Sequence, residues 1–71
     1  MEQTIVGIDV GTTKVCTLVG EVGDDGVVRV VGVGTVPSRG VRKGVIVNVN
    51  EATQAIQASV EKAERVSGYD I

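Results

Sequence analysis

Valine-rich runs with a two-residue period fill residues 4–36, and from Asn48 the apolar period lengthens to that of a helix. This change of period constrains the fold more than any other feature. It sets strands in front and one helix behind, in a chain of 71 residues. In TIVGIDV, residues 4–10, a pleated strand places Val6, Ile8 and Val10 on one side and Ile5, Gly7 and Asp9 on the other. A second run, KVCTLVGEV, covers residues 14–22. Turn chemistry at Gly23-Asp24-Asp25-Gly26 precedes a third run over residues 27–36, which Pro37 closes. The expected architecture is a three-stranded antiparallel meander. Within the third run Gly32 and Gly34 mark a bulge or a close backbone approach.

The helix opens at Asn48, which with Glu51 three residues on has capping-box spacing; Asn50 is the alternative cap. Apolar or small residues recur at Ala52, Ala55, Ile56, Ser59, Val60, Ala63 and Val66, and Gly68 is placed to stop the helix. An alanine-rich stripe of this kind suits close packing onto a sheet. Between strands and helix, SRGVRKG (residues 38–44) reads as a solvated basic loop carrying Arg39, Arg42 and Lys43, followed by a brief extended piece at residues 45–47. The fold class is therefore α/β, an α+β unit with one packed helix, and residues 1–71 form one partial domain.

Tyr69 is the sole aromatic, so the core must be built from valine, isoleucine, leucine and alanine, each burying little area. A chain this short hides only about 60% of its unfolded surface. Apolar faces are expected to remain that need more polypeptide or a second copy, making a homo-oligomer one expectation. Seven Lys and Arg stand against nine Asp and Glu, a formal net charge of −2, which gives no general attraction to nucleic acid. No apolar run approaches a membrane span, and the acidic start Met1-Glu2-Gln3 is unlike a secretory signal, so a cytoplasmic setting is expected. The single Cys16, with no histidine to help it, excludes an internal disulfide and a multi-cysteine metal site; it reads as a small buried residue.

The chemistry lies in GIDVGTTKV, residues 7–15. Gly11 lets a backbone approach phosphate without a Cβ in the way, while Thr12 and Thr13 add amides and hydroxyls. Asp9 would repel phosphate directly, but a magnesium ion between them resolves the conflict, with Asp9 acting through its water shell. Lys14 is a further cationic donor. This is not a P-loop, because a strand and not a helix follows the glycine. From local chemistry alone an ordinary hairpin turn explains the stretch equally well.

The order of strand, D-x-G-[TS] hairpin, two further strands and helix resembles the actin-like ATPase superfamily, with its ribonuclease-H-like fold, from about Ile5 to Gly68. Within it, GIDVGTTKVCTLVGEV and VVGVGTVPSRGVRKGVIVNVNEATQAIQASVEKAE resemble the amino-terminal part of the FtsA family of bacterial cell-division proteins. SRGVRKGVIVN followed at once by the helix is the more discriminating portion, since the phosphate hairpin is shared across the superfamily.

The resemblance implies an ATP- and magnesium-binding actin homologue that polymerises and links the FtsZ ring to the cytoplasmic face of the inner membrane at the division site. Carried over by position, Asp9 would hold Mg2+ through water and Gly11, Thr12 and Thr13 would contact phosphate. Lys14 departs from the pattern of several relatives, whose basic contact falls where this chain has Cys16. The resemblance also places a second phosphate loop, the adenosine pocket, the residue orienting water, the FtsZ-binding region and a membrane helix beyond Ile71. The chain alone is accordingly expected to be non-catalytic, an amino-terminal piece with weak or no nucleotide binding. Two alternatives stand beside this: a small self-associating scaffold, and the start of another actin-superfamily kinase.

Overall fold

The computed structural model describes residues 3–71. Three strands, β1 (Gln3–Val10), β2 (Lys14–Val22) and β3 (Val28–Pro37), form an antiparallel sheet in the order β1-β2-β3, as the meander requires. A two-residue hairpin of β4 (Val41–Arg42) and β5 (Val45–Ile46) follows, then the helix α1 (Val49–Ser67). The segment expected as a plain basic loop thus contains a strand. Gly44 at φ 77° and Lys43 at φ 50° turn the chain between its two arms.

Antiparallel partners share a face, so the register sorts the side chains. Val10, Ile8 and Val6 stand opposite Val15, Thr17 and Val19, which stand opposite Val36, Gly34 and Gly32. This is the helix face. The other carries Asp9, Gly7 and Ile5, then Cys16, Leu18 and Gly20, with Thr35 and Val33 on β3. A register shift between Val19 and Gly20 skips Val31, which is the bulge that the glycine-containing run suggested.

The helix rests on β2 and β3, and glycine is what lets it come so close. A Cβ on Gly34 would fall on the Ser59 carbonyl oxygen and 2.6 Å from the Ala63 nitrogen; one on Gly32 would lie 2.6 Å from the Ser67 Cβ. Val15, Val19, Val41, Ala52, Ala55 and Ala63 make up the buried apolar core, joined by Thr17 and Ser59. Those two hydroxyls meet at 2.7 Å, and Ser59 Oγ lies 2.9 Å from the Ile56 carbonyl. Ser59 donates its one proton to that carbonyl, so Thr17 donates to Ser59 and both groups are satisfied without water.

Asn48 is the cap: its side chain accepts from the Glu51 N–H at 3.0 Å. The capping box is modified, because the Asn48 N–H donates to the Gly40 carbonyl and Glu51 Oε1 takes the Asn48 side-chain amide instead. Gly68, left-handed at φ 79°, closes the helix by donating to the Glu64 carbonyl. Two sequence expectations are corrected. Val66 is 62% exposed, because Ser67 and not Val66 meets the sheet at Gly32. Cys16 is only half-buried, since it lies on the face the helix does not cover.

The expected uncovered apolar surface is present. Ile5, Val6, Ile8 and Val10 of β1 and Leu18 and Val33 on the second face are all exposed. No described helix is long and apolar enough to cross a membrane.

Candidate functional site

The β1–β2 turn brings the sequence candidates together at one end of the sheet. β1 delivers Asp9 as its last residue but one, and β2 starts at Lys14, leaving Gly11, Thr12 and Thr13 as the loop. Gly11 shapes the turn with its backbone. Its N–H donates to the Lys14 carbonyl at 2.9 Å and closes the turn, and an added Cβ would lie 3.1 Å from that same oxygen. Its amide is committed to the hairpin.

Two loop donors remain: the amides of Thr12 and Thr13 donate to no backbone acceptor among the described residues, and both residues are exposed. Successive free amides in a turn form a small concavity suited to an anion. The loop is tied from behind, where the Ser38 N–H donates to the Thr13 carbonyl at 2.9 Å and so joins the end of β3 to the hairpin.

Asp9 stands opposite Cys16, and Cys16 opposite Thr35, on the face away from the helix. Lys14, two residues from Cys16 on the same strand, shares that face and is diagonal to Asp9. The hairpin's one cation is therefore on the acid's side of the sheet. Thr35 Oγ1 donates to Cys16 Sγ at 3.6 Å, so a thiol–hydroxyl pair, with no charge, separates Asp9 from the outer strand. Thr13, Lys14, Thr35, Val36 and Pro37 line a shallow cleft of about 340 Å³ beside the loop.

Among the described residues no three His, Cys, Asp or Glu side chains converge as a metal cage. One exposed carboxylate next to open amides instead fits magnesium, which keeps several waters and takes one or two carboxylates plus phosphate oxygens. Sequence reasoning missed two neighbours, Thr35 and Ser38. Neither carries a local signal, and only the register of β3 against β2 brings them to the hairpin.

A strand, an acid-bearing glycine–threonine hairpin, two more antiparallel strands and a covering helix form the start of an actin-like domain, the class of protein that this fold and hairpin define. The family profile described as cell division protein FtsA matches residues 6–70. The chain belongs to the FtsA family, and that membership supports a role in cell division. It is 53% identical over 69 residues to the cell division protein FtsA of Pseudomonas aeruginosa, and 54% over 67 residues to that of Borreliella burgdorferi. Against the Escherichia coli K12 protein the identity is 40% over 69 residues. These alignments cover 97%, 94% and 97% of this chain, which spans 16% of the length of each of the three relatives.

Proposed function

We propose that the β1–β2 hairpin is one half of a magnesium–nucleotide grip, and that in a longer FtsA-family protein it serves ATP-dependent polymerisation. That polymer would tether the FtsZ ring to the cytoplasmic face of the membrane at the division site. The observation supporting this is the joint placement of Asp9, the open amides of Thr12 and Thr13, and the Lys14 cation at one end of the sheet. The amides and Lys14 bind and orient phosphate oxygens, Gly11 leaves room for them, and Asp9 holds the water shell of Mg2+. When bound, the metal neutralises phosphate charge. Phosphoryl transfer also needs adenosine contacts and a positioned nucleophile, so this chain alone is a binding element and not a catalyst.

The test is a titration of the 71-residue chain with Mg-ATP to 20 mM, followed by amide chemical shifts. Shifts confined to Thr12, Thr13 and Lys14 are expected, with Kd on the order of millimolar or weaker, about −4 kcal/mol or less in magnitude. Unmoved resonances there, in a chain whose other shifts report an intact fold, would remove the hairpin from nucleotide binding. In a full-length relative, Asp9→Ala is expected to weaken Mg-ATP about tenfold or more, with unfolding free energy changed by less than about 0.5 kcal/mol because the side chain is exposed. Equal affinity would exclude Asp9.

A further inference from the structure

Ser38 ties the candidate site to the rest of the molecule. It is the first residue after β3, and its N–H donates to the Thr13 carbonyl at 2.9 Å. That makes Thr13 and Ser38 a bonded pair one step beyond the last strand pair, Lys14 with Pro37, so by antiparallel alternation Lys14·Pro37 is non-bonded. Pro37, which has no N–H, sits where none is needed. Two residues beyond Ser38, Gly40 at φ 74° accepts from the Val47 and Asn48 N–H groups, and an added Cβ there would fall on the Asn48 carbonyl oxygen. Residues 38–40 are therefore fixed at both ends, to the loop and to the start of α1, across at most about 7 Å.

The Ser38 hydroxyl is the feature that this tie leaves unexplained. Its Oγ is buried and without a partner among the described residues, which costs stability. Further polypeptide packed on the outside of this unit cannot supply the partner, because the oxygen is already enclosed by the atoms around it. The partner must be a group already beside it. Oγ is three bonds from the Ser38 nitrogen, and that nitrogen lies 2.9 Å from the Thr13 carbonyl oxygen, which has a second lone pair to offer. A small movement of Thr13 toward Ser38 gives that oxygen both donors.

A bound phosphate supplies the cause of that movement. An anion held by the Thr12 and Thr13 amides repels any carbonyl oxygen turned toward it, and a Thr13–Lys14 peptide free to rotate would present one. We propose that Ser38 is a positioning residue for the phosphate loop. Its N–H holds the Thr13 carbonyl away from the ligand, and its hydroxyl becomes the second donor to that carbonyl when phosphate is bound. Because the second bond forms only in the bound state, it adds to affinity and not to the stability of the free chain. This role rests on the hairpin being a phosphate grip, and it gives the grip a support from outside the GIDVGTTKV stretch.

Two changes to the 71-residue chain separate the two donors. Ser38→Ala removes the hydroxyl and leaves the N–H. It is expected to raise the urea midpoint and yet to raise the Kd for Mg-ATP about threefold to tenfold, the worth of one net hydrogen bond, read from the initial slope of the Thr12 and Thr13 amide shifts. Loss of a merely structural contact would lower stability and affinity together. An ester in place of the Pro37–Ser38 amide, introduced by chemical synthesis, removes the N–H and leaves the hydroxyl. Its Kd is expected to rise at least as far, with the helical circular dichroism unchanged. Parent-like affinity in either variant, where the parent's Thr12 and Thr13 resonances do respond to Mg-ATP, overturns the role of Ser38 and leaves the grip standing. Unmoved Thr12 and Thr13 resonances in the parent overturn both. Weakened binding by Ser38→Ala with a lowered urea midpoint makes Ser38 a structural residue and overturns the proposal equally.

Discussion

Gly34 carries more of this fold than any side chain of its size could. The helix backbone occupies the volume a Cβ would take, so Gly34→Ala cannot be absorbed by a rotamer change; α1 must lift from β3. A loss of at least about 2 kcal/mol is expected in urea unfolding, against less than about 0.5 kcal/mol for Gly7→Ala, where an added Cβ meets nothing. Ser38 offers the opposite case. Its buried hydroxyl is without a partner among the described residues, so Ser38→Ala removes a desolvated group and is expected to stabilise the chain by about 1 kcal/mol. These residues also mark how far the sequence could be read. Gly32 and Gly34 were legible as a bulge or a close approach, and they are both; that Gly7 is idle while Gly34 is essential needed the helix position. That the Gly11 N–H closes the turn on Lys14 was not legible, because the pattern around it does not reveal where that N–H goes.

At the scale of elements, what local chemistry punctuates was legible. The strand limits, the Asn48 cap and the Gly68 stop all follow from turn and capping residues. The β4–β5 hairpin was legible only in part: its second arm read as extended, but the positive-φ turn at Lys43 and Gly44 that pairs it with Val41 and Arg42 read as plain loop. There Gly40, at φ 74°, accepts from the Val47 and Asn48 N–H groups, and an added Cβ would collide with the Asn48 carbonyl. Asn48 thus joins two elements, capping α1 with its side chain and docking the hairpin with its backbone. Asn48→Ala removes only the first function and is expected to cost about 1 kcal/mol, while Asn48→Asp, which retains the acceptor, costs less than half of that. No loss for either would show that the helix start is held by the Gly40 contact alone. At the candidate site, Asp9, the threonines and Lys14 could be placed together from sequence because they are local. Thr35 and Ser38 could not, because strand pairing across 19 or more residues brings them in.

For the whole molecule, the decisive fact is a sheet covered on one face by one helix, with a buried apolar set of three valines and three alanines. Globular domains hold roughly 0.05–0.15 kcal/mol per residue, which for 71 residues spans about 4–10 kcal/mol. A core without a ring and a second face left open place this chain at the lower end, near 4 kcal/mol. Changes that a larger domain would tolerate should then exhaust it. Gly34 lies under Ser59 and Ala63, while Asn48 is more than ten helical residues away, so their effects should add. Combining Gly34→Ala with Asn48→Ala is expected to leave about 1 kcal/mol or less, a chain unfolded in a substantial fraction at 25 °C without denaturant. Urea titrations at a few micromolar, where any self-association contributes least, measure this directly. A double variant that remains fully folded with several kcal/mol in reserve would mean that the small-residue core is supported from elsewhere. Repeating the titration at 1 mM then identifies the source, since support from a second copy must grow with concentration and support from within the chain cannot.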